Sequence, residues 1–325
     1  MLTKKQVQQW REKGWIIIKK FVNVKECQKD MQTHYPINAK NPIQDFGSNG
    51  ETNFPCKYNS LNEMTVNIKL INSVKQLLNT DEILLTQSVA WAKYCVKEQN
   101  KLSSSNHDQR IHMDYGNNYW THPPKWETPD MVAAIVYYSD TKKTGGSTAV
   151  VSRRGDNDEV YQWPYMCMPG IAGKPFFNDR KTAEASMTKK DRELREKCYQ
   201  REVLPKPGVG DVLFYRMDLW HRGTPIKPNC VRYVHNLAWK KKEAEGINIW
   251  NKGWTQQMYY GWLEEFITSI NNEQRKTLGF PDITKLPNEI KQAVLLRYKN
   301  LSKRPNSHCK NQVILHLTIQ NLKYF

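Results

Sequence analysis

Asp211-Val212-Leu213-Phe214-Tyr215-Arg216-Met217-Asp218-Leu219-Trp220-His221-Arg222-Gly223-Thr224-Pro225, followed by Val231-Arg232-Tyr233-Val234-His235-Asn236-Leu237-Ala238-Trp239, decides the fold. Asp211 to Tyr215 is a strand by its run of β-branched and aromatic residues. Gly223-Thr224-Pro225 and Lys227-Pro228-Asn229 make a sharp connection into a second strand from Val231 to Trp239, drawn as a hairpin-like return. On that strand Arg232, Val234, Asn236 and Ala238 share one face, and Tyr233, His235, Leu237 and Trp239 the other. Working outward, Trp15 to Lys19 and Ile83 to Val96 also read as strands. Residues 3–13, 24–32, 64–79, 188–199 (Thr188 as N-cap) and 290–298 read as helices, and 36–62 is loop-rich. Turn-spaced strands with helices gathered toward the N-terminus predict a mainly β fold with flanking helices, built on a double-stranded β-helix (jelly-roll, cupin-like) core.

The mouth of such a fold collects side chains that hold a metal. His112-Met113-Asp114 lies in an extended stretch, so His112 and Asp114 share a face and Met113 turns away. With His221 they make two imidazoles and one carboxylate, the facial set that holds non-haem Fe(II) and leaves coordination positions open. Arg232 follows on the next strand, and its planar guanidinium suits the distal carboxylate of a dicarboxylate co-substrate. His235 faces away from Arg232 and, like His122 before Pro123-Pro124, reads as structural.

From Leu2 to about Trp239 the chain resembles the phytanoyl-CoA dioxygenase family of Fe(II)/2-oxoglutarate oxygenases. The resemblance rests on ordered blocks: Leu2 to Val7 with Gly14 to Ile18; Ala133 to Asp140 with Gly145-Gly146-Ser147-Thr148; and Pro207 to Phe214 with His221 to Pro225 and Arg232. It implies His112, Asp114 and His221 as iron ligands and Arg232 as the 2-oxoglutarate anchor. A second co-substrate contact is implied on the strand before the metal motif, Lys93 ahead of Gln87. Thr224 is a hydroxyl donor to the co-substrate, although Gly223 stands where some members carry a hydroxyl residue. The implied reaction consumes O2, converts 2-oxoglutarate to succinate and CO2, and hydroxylates an unactivated C–H; ascorbate would serve as reductant. Asp114 favours hydroxylation, because related halogenating enzymes lack that carboxylate. Tyr115, Asn118 and Trp120 are candidate substrate contacts.

Composition narrows the rest. The 325 residues accommodate one catalytic domain, 1–240, with a lid-like insert at 152–203, and a helical extension, 241–325, whose stretch beyond 302 is expected to be poorly ordered. Arg153 and Arg154 at the start of the insert are candidate anion contacts. The net charge of +17 suits an anionic small-molecule substrate such as an acyl-CoA. The lysines are dispersed apart from Lys240-Lys241-Lys242, which argues against a nucleic-acid stripe. A nucleic-acid oxygenase is one alternative, distinguished by salt-dependent oligonucleotide binding. A non-catalytic binding protein on the same fold is the other, distinguished by failure to bind Fe(II). Seven scattered cysteines without a CxxC predict reduced thiols in a cytoplasmic setting. The N-terminus shows no secretory apolar core, no run is long enough to span a membrane, and Lys323-Tyr324-Phe325 is not a peroxisomal address.

Overall fold

The computed structural model describes residues 1–39, 52–95, 109–115, 122–165, 180–245 and 262–301. The chain enters through α1 (Lys4–Lys13), closed at its start by a Thr3/Gln6 capping box. It ends at Gly14 in a left-handed conformation, φ 89°. A Cβ at Gly14 would come within 2.6 Å of Leu219 Cδ1 and 2.8 Å of Trp126 Cη2, so only glycine lets α1 close onto the segment leading to His221.

β1 (Trp15–Ile18), β2 (Thr52–Asn53), β3 (Ile83–Cys95), β4 (Met131–Tyr137), β6 (Val212–Arg216) and β8 (Cys230–Lys241) form an antiparallel six-stranded sheet in the order β1-β6-β4-β8-β3-β2. β5 (Thr148–Val150) and β7 (His221–Gly223) form a smaller sheet, extended by a bridge between His112 and His221. This is the jelly-roll arrangement expected of the strand pattern. One local expectation fails. β7 pairs with β5, whereas β8 pairs with β3 and β4, so the Gly223–Asn229 connection crosses between sheets instead of closing a hairpin. Pro225 and Pro228 lack the backbone donors that a continuous ladder across this turn needs.

The two faces of the large sheet divide the core. One packs Leu85, Leu237 and Trp239 against α2 (Lys25–His34), α3 (Asn59–Thr65) and α4 (Ile68–Leu78). The segment expected to be one helix from 64 to 79 is thus two, broken at Val66-Asn67, where Asn67 caps α4 through Lys69 N. The C-terminal part joins the same core: Leu263, Phe266 and Ile267 of α8 (Trp262–Ser269) are buried in it.

The other face looks toward the small sheet and carries side chains in rungs. Tyr215, Ala133, Ala238 and Gln87 lie opposite one another across β6-β4-β8-β3. Leu213, Ile135, Asn236 and Val89 form the next rung, then Tyr137, Val234 and Trp91, then Arg232 opposite Lys93. A bulge between Leu85 and Gln87 sets this register.

Within 152–203, α7 (Lys189–Arg201) starts at Thr188, which accepts from Asp191 N as its side chain predicts. Arg201 grips buried Asp158 with both guanidinium nitrogens at 2.7 Å. Tyr199 Oη accepts from Ile111 N at 3.0 Å, which ties the insert to the segment bearing His112.

Candidate metal centre

His112 and His221 face each other through a reciprocal backbone pair, His112 N to His221 O at 2.9 Å and His221 N to His112 O at 2.8 Å. Asp114 N donates to Met217 O at 3.0 Å, so both ends of the motif are pinned to the segment around His221. One ligand atom from each of His112, Asp114 and His221 lies within 4.8 Å of the others. The carboxylate sits between the rings: Oδ1 is 3.4 Å from His112 Nε2, and Oδ2 is 3.3 Å from His221 Nε2.

Each ring is fixed by its other nitrogen. His112 Nδ1 lies 3.0 Å from Arg110 O, and His221 Nδ1 lies 2.9 Å from Leu219 O. A carbonyl can only accept, so Nδ1 carries the proton and the Nε2 lone pairs point at the common centre. Tyr215 Oη donates to Asp114 Oδ2 at 2.9 Å and holds the carboxylate in place. Burial, reinforced by the neighbouring His221, pushes the His112 imidazole down to about 4 and keeps it neutral. Burial opposes the Asp114 charge, yet the neighbouring His221 and His112 hold the carboxyl well below the usual range. Burial likewise disfavours a charged His221, but Asp114 outweighs it and raises that ring. The donor set therefore fits a borderline divalent cation: two imidazoles with aimed lone pairs and one carboxylate charge.

At the far end of the same face, Arg232 and Lys93 stand directly opposite each other on β8 and β3. Arg232 is 4% exposed and Lys93 0%. Arg232 donates to Gly146 O, stacks over Trp91 with 5.0 Å to the ring centroid, and has Nε without a hydrogen-bond partner. Burial lowers its guanidinium to about 10. Two cations held side by side out of water are costly unless an anion neutralises them.

The other expected residues take definite places. Thr224 Oγ1 donates to Ser147 O at 2.8 Å, while its carbonyl accepts from Lys93 Nζ at 3.1 Å, so Thr224 orients the lysine through its backbone. Gln87 shares the face of Lys93 but lies six residues away, beside Ala238, so only Lys93 meets Arg232. Tyr115 is buried against His122 and Tyr165. Asn118 and Trp120 fall outside the described residues. Arg153 pairs with Asp156 at 2.8 Å and lies over the Trp126 ring at 4.9 Å, and Arg154 is exposed. His122 accepts from Tyr165 N at 2.8 Å. His235 lies between Ser88 and Tyr138 on the opposite face, as the alternation requires.

Two residues escaped the reading of the sequence. Tyr215 was legible only as a strand residue; its contact with Asp114 depends on the sheets closing over each other. Gln109 Oε1 accepts from Gly223 N at 2.9 Å, and a Cβ at position 223 would collide with that carboxamide. A side chain at the departure from the resembled pattern would have to displace the Gln109 carboxamide.

Comparison with solved structures finds the same fold elsewhere. The structure is similar to SnoK, a non-haem α-ketoglutarate-dependent carbocyclase of nogalamycin biosynthesis, with TM-score 0.52 and 11% identity over 78% of this chain and 91% of that one. It is also similar to EvdO2 from Micromonospora carbonacea var. aurantiaca, with TM-score 0.53 and 10% identity over 75% of this chain and 93% of that one. No protein-family model matches the sequence. No curated protein matches it either. At these identities the likeness establishes the jelly-roll fold. Among the described residues, no helix is long and apolar enough to cross a membrane.

Proposed function

We propose that this protein is an Fe(II)- and 2-oxoglutarate-dependent dioxygenase that hydroxylates a small molecule. The observation that carries the reading is the pairing of two sites on one inner surface: the His112, Asp114 and His221 cluster and the buried cation pair of Arg232 and Lys93. A dicarboxylate satisfies both, one carboxylate at the metal and the other between the cations. The ordered blocks that resemble the phytanoyl-CoA dioxygenase family support the same reading.

His112, Asp114 and His221 would hold the iron, which supplies the activation of O2 and the oxidising power for a C–H bond. The protein's residues do the remaining work. The Arg110 and Leu219 carbonyls keep both Nε2 atoms deprotonated and aimed. Tyr215 keeps Asp114 from swinging toward solvent. Arg232 and Lys93 orient the co-substrate and compensate its second charge, while Trp91, Val234 and Tyr137 exclude water between the two sites. SnoK is a carbocyclase, so this fold does not by itself impose hydroxylation; the intact carboxylate of Asp114 favours it here.

The test is succinate formation from 2-oxoglutarate with Fe(II), ascorbate and air, comparing the wild type with His112→Ala. Slow turnover that the variant lacks is the expected result. Absence of both turnover and Fe(II)-dependent 2-oxoglutarate binding in the wild type would refute the proposal.

A further inference from the structure

Asn236 is a polar residue at the centre of the large sheet, on the face turned toward the metal cluster. Its rung neighbours are Ile135 and Val89, both apolar. Its Oδ1 is buried and has no hydrogen-bond partner. A buried carboxamide oxygen left unpaired destabilises a fold, and such exceptions call for a specific explanation. One rung toward the mouth, Gln87 lies across from Ala238 and so diagonal to Asn236, within reach of a shared ligand. Between Tyr215 of β6 and Gln87 of β3 that rung carries only the small side chains of Ala133 and Ala238.

Arg232 lies four residues from Asn236 on the same strand, about 13 Å along it, and has Lys93 directly opposite to share an anion. Asn236 and Gln87 stand instead on the side of Tyr215, which touches Asp114, where a primary substrate would approach. The charge on this wall is distinctive. Arg232 and Lys93 stand two rungs away from Asn236. Lys240, the next inward position beyond Ala238, turns its Nζ to Ala244 O at 2.7 Å.

We propose that Asn236 and Gln87 form a neutral carboxamide subsite that holds the substrate, beside the carbon to be oxidised, through an uncharged donor–acceptor group, a carboxamide or lactam. Each protein carboxamide offers one acceptor and a two-proton donor, the complement of such a group. A carboxylate or phosphate in the same place would meet the Oδ1 and Oε1 lone pairs with no donor hydrogen of its own. This inference rests on the dioxygenase reading for the identity of the reacting centre, but the subsite itself is tested without turnover.

The experiment titrates cyclohexanecarboxamide and cyclohexanecarboxylate into the full-length protein, with and without Ni(II) and 2-oxoglutarate, and follows binding by ligand-detected NMR. The wild type is expected to prefer the carboxamide, and Asn236→Leu to weaken it about tenfold, the loss of a single good hydrogen bond. Asn236→Leu should melt no lower than the wild type, because it replaces an unpaired amide with an apolar group of the same branched shape; Gln87→Ala provides a second variant at a half-buried position. The affinity of the variants for 2-oxoglutarate should stay within about twofold of the wild type, which a general collapse of the site would not allow. Tighter binding of the carboxylate, or carboxamide binding unchanged in both variants, would overturn the proposal. Carboxamide binding that is lost in Asn236→Leu while the wild type fails to bind 2-oxoglutarate would uphold the subsite and refute only the co-substrate reading.

Discussion

Replacing Gly146 by alanine tests how the cation end of the site is built. Gly146 adopts φ 71°, and a Cβ there would press on Ile226 Cγ2 and lie 3.2 Å from Arg232 Cδ. Its carbonyl also accepts from Arg232 Nη1. Two costs follow. An L-residue at this φ loses about 1–2 kcal/mol. The methyl must further displace Ile226 and the Arg232 stem, adding about 1–3 kcal/mol, as overpacking in a well-filled core does. Together these should lower Tm by several degrees, at about 2–4 °C per kcal/mol for a chain of this size. If Arg232 anchors 2-oxoglutarate as proposed, displacing the guanidinium should also break one of those charge-assisted bonds and raise KM for the co-substrate about 10- to 100-fold. Gly279→Ala is the control: it has φ 86° with nothing within 4 Å of the added Cβ, so it carries the backbone cost alone. Differential scanning fluorimetry and the succinate assay, run on both variants, separate the effects. A Gly146→Ala enzyme with wild-type KM for 2-oxoglutarate, or a Gly279→Ala enzyme with the same KM defect, would refute the reasoning.

Tyr215→Phe removes the hydroxyl that holds Asp114, so Fe(II) affinity measured by metal titration should fall about tenfold while Tm changes little, since supporting hydrogen bonds of this kind are worth about 10- to 100-fold in metal binding. Asp158→Asn should weaken the grip of Arg201 on the insert and expose it to limited proteolysis near α7, because that guanidinium then loses its charged partner. Burial lowers the His235 imidazole to about 3. The unfolded chain takes up this proton near pH 6.5 and the folded protein does not, so stability should decline as pH falls below 6.5, by up to about 1.4 kcal/mol per pH unit. Urea midpoints for His235→Gln should depend on pH less steeply than those of the wild type between pH 6.5 and 4.5, a window about two units wide; parallel slopes would contradict the assignment.

The sequence by itself determined the period-two strands, the N-cap of α7, the shared face of His112 and Asp114, and the opposite faces of Arg232 and His235. Each depends on residues near one another in the chain, where alternation and capping chemistry act directly. Tertiary structure decided that β7 and β8 part into different sheets, that Lys93 and not Gln87 stands against Arg232, and that Gly223 yields its space to Gln109. It decided too that the guanidinium of Arg153 is engaged by Asp156 and Trp126. A one-residue bulge at Leu85–Gln87 fixes the partners of every later residue of β3, and no local pattern announces it. The unpaired oxygen of Asn236 belongs to the same class. An asparagine in a strand reads as ordinary until long-range pairing sets it between Ile135 and Val89 with its Oδ1 buried.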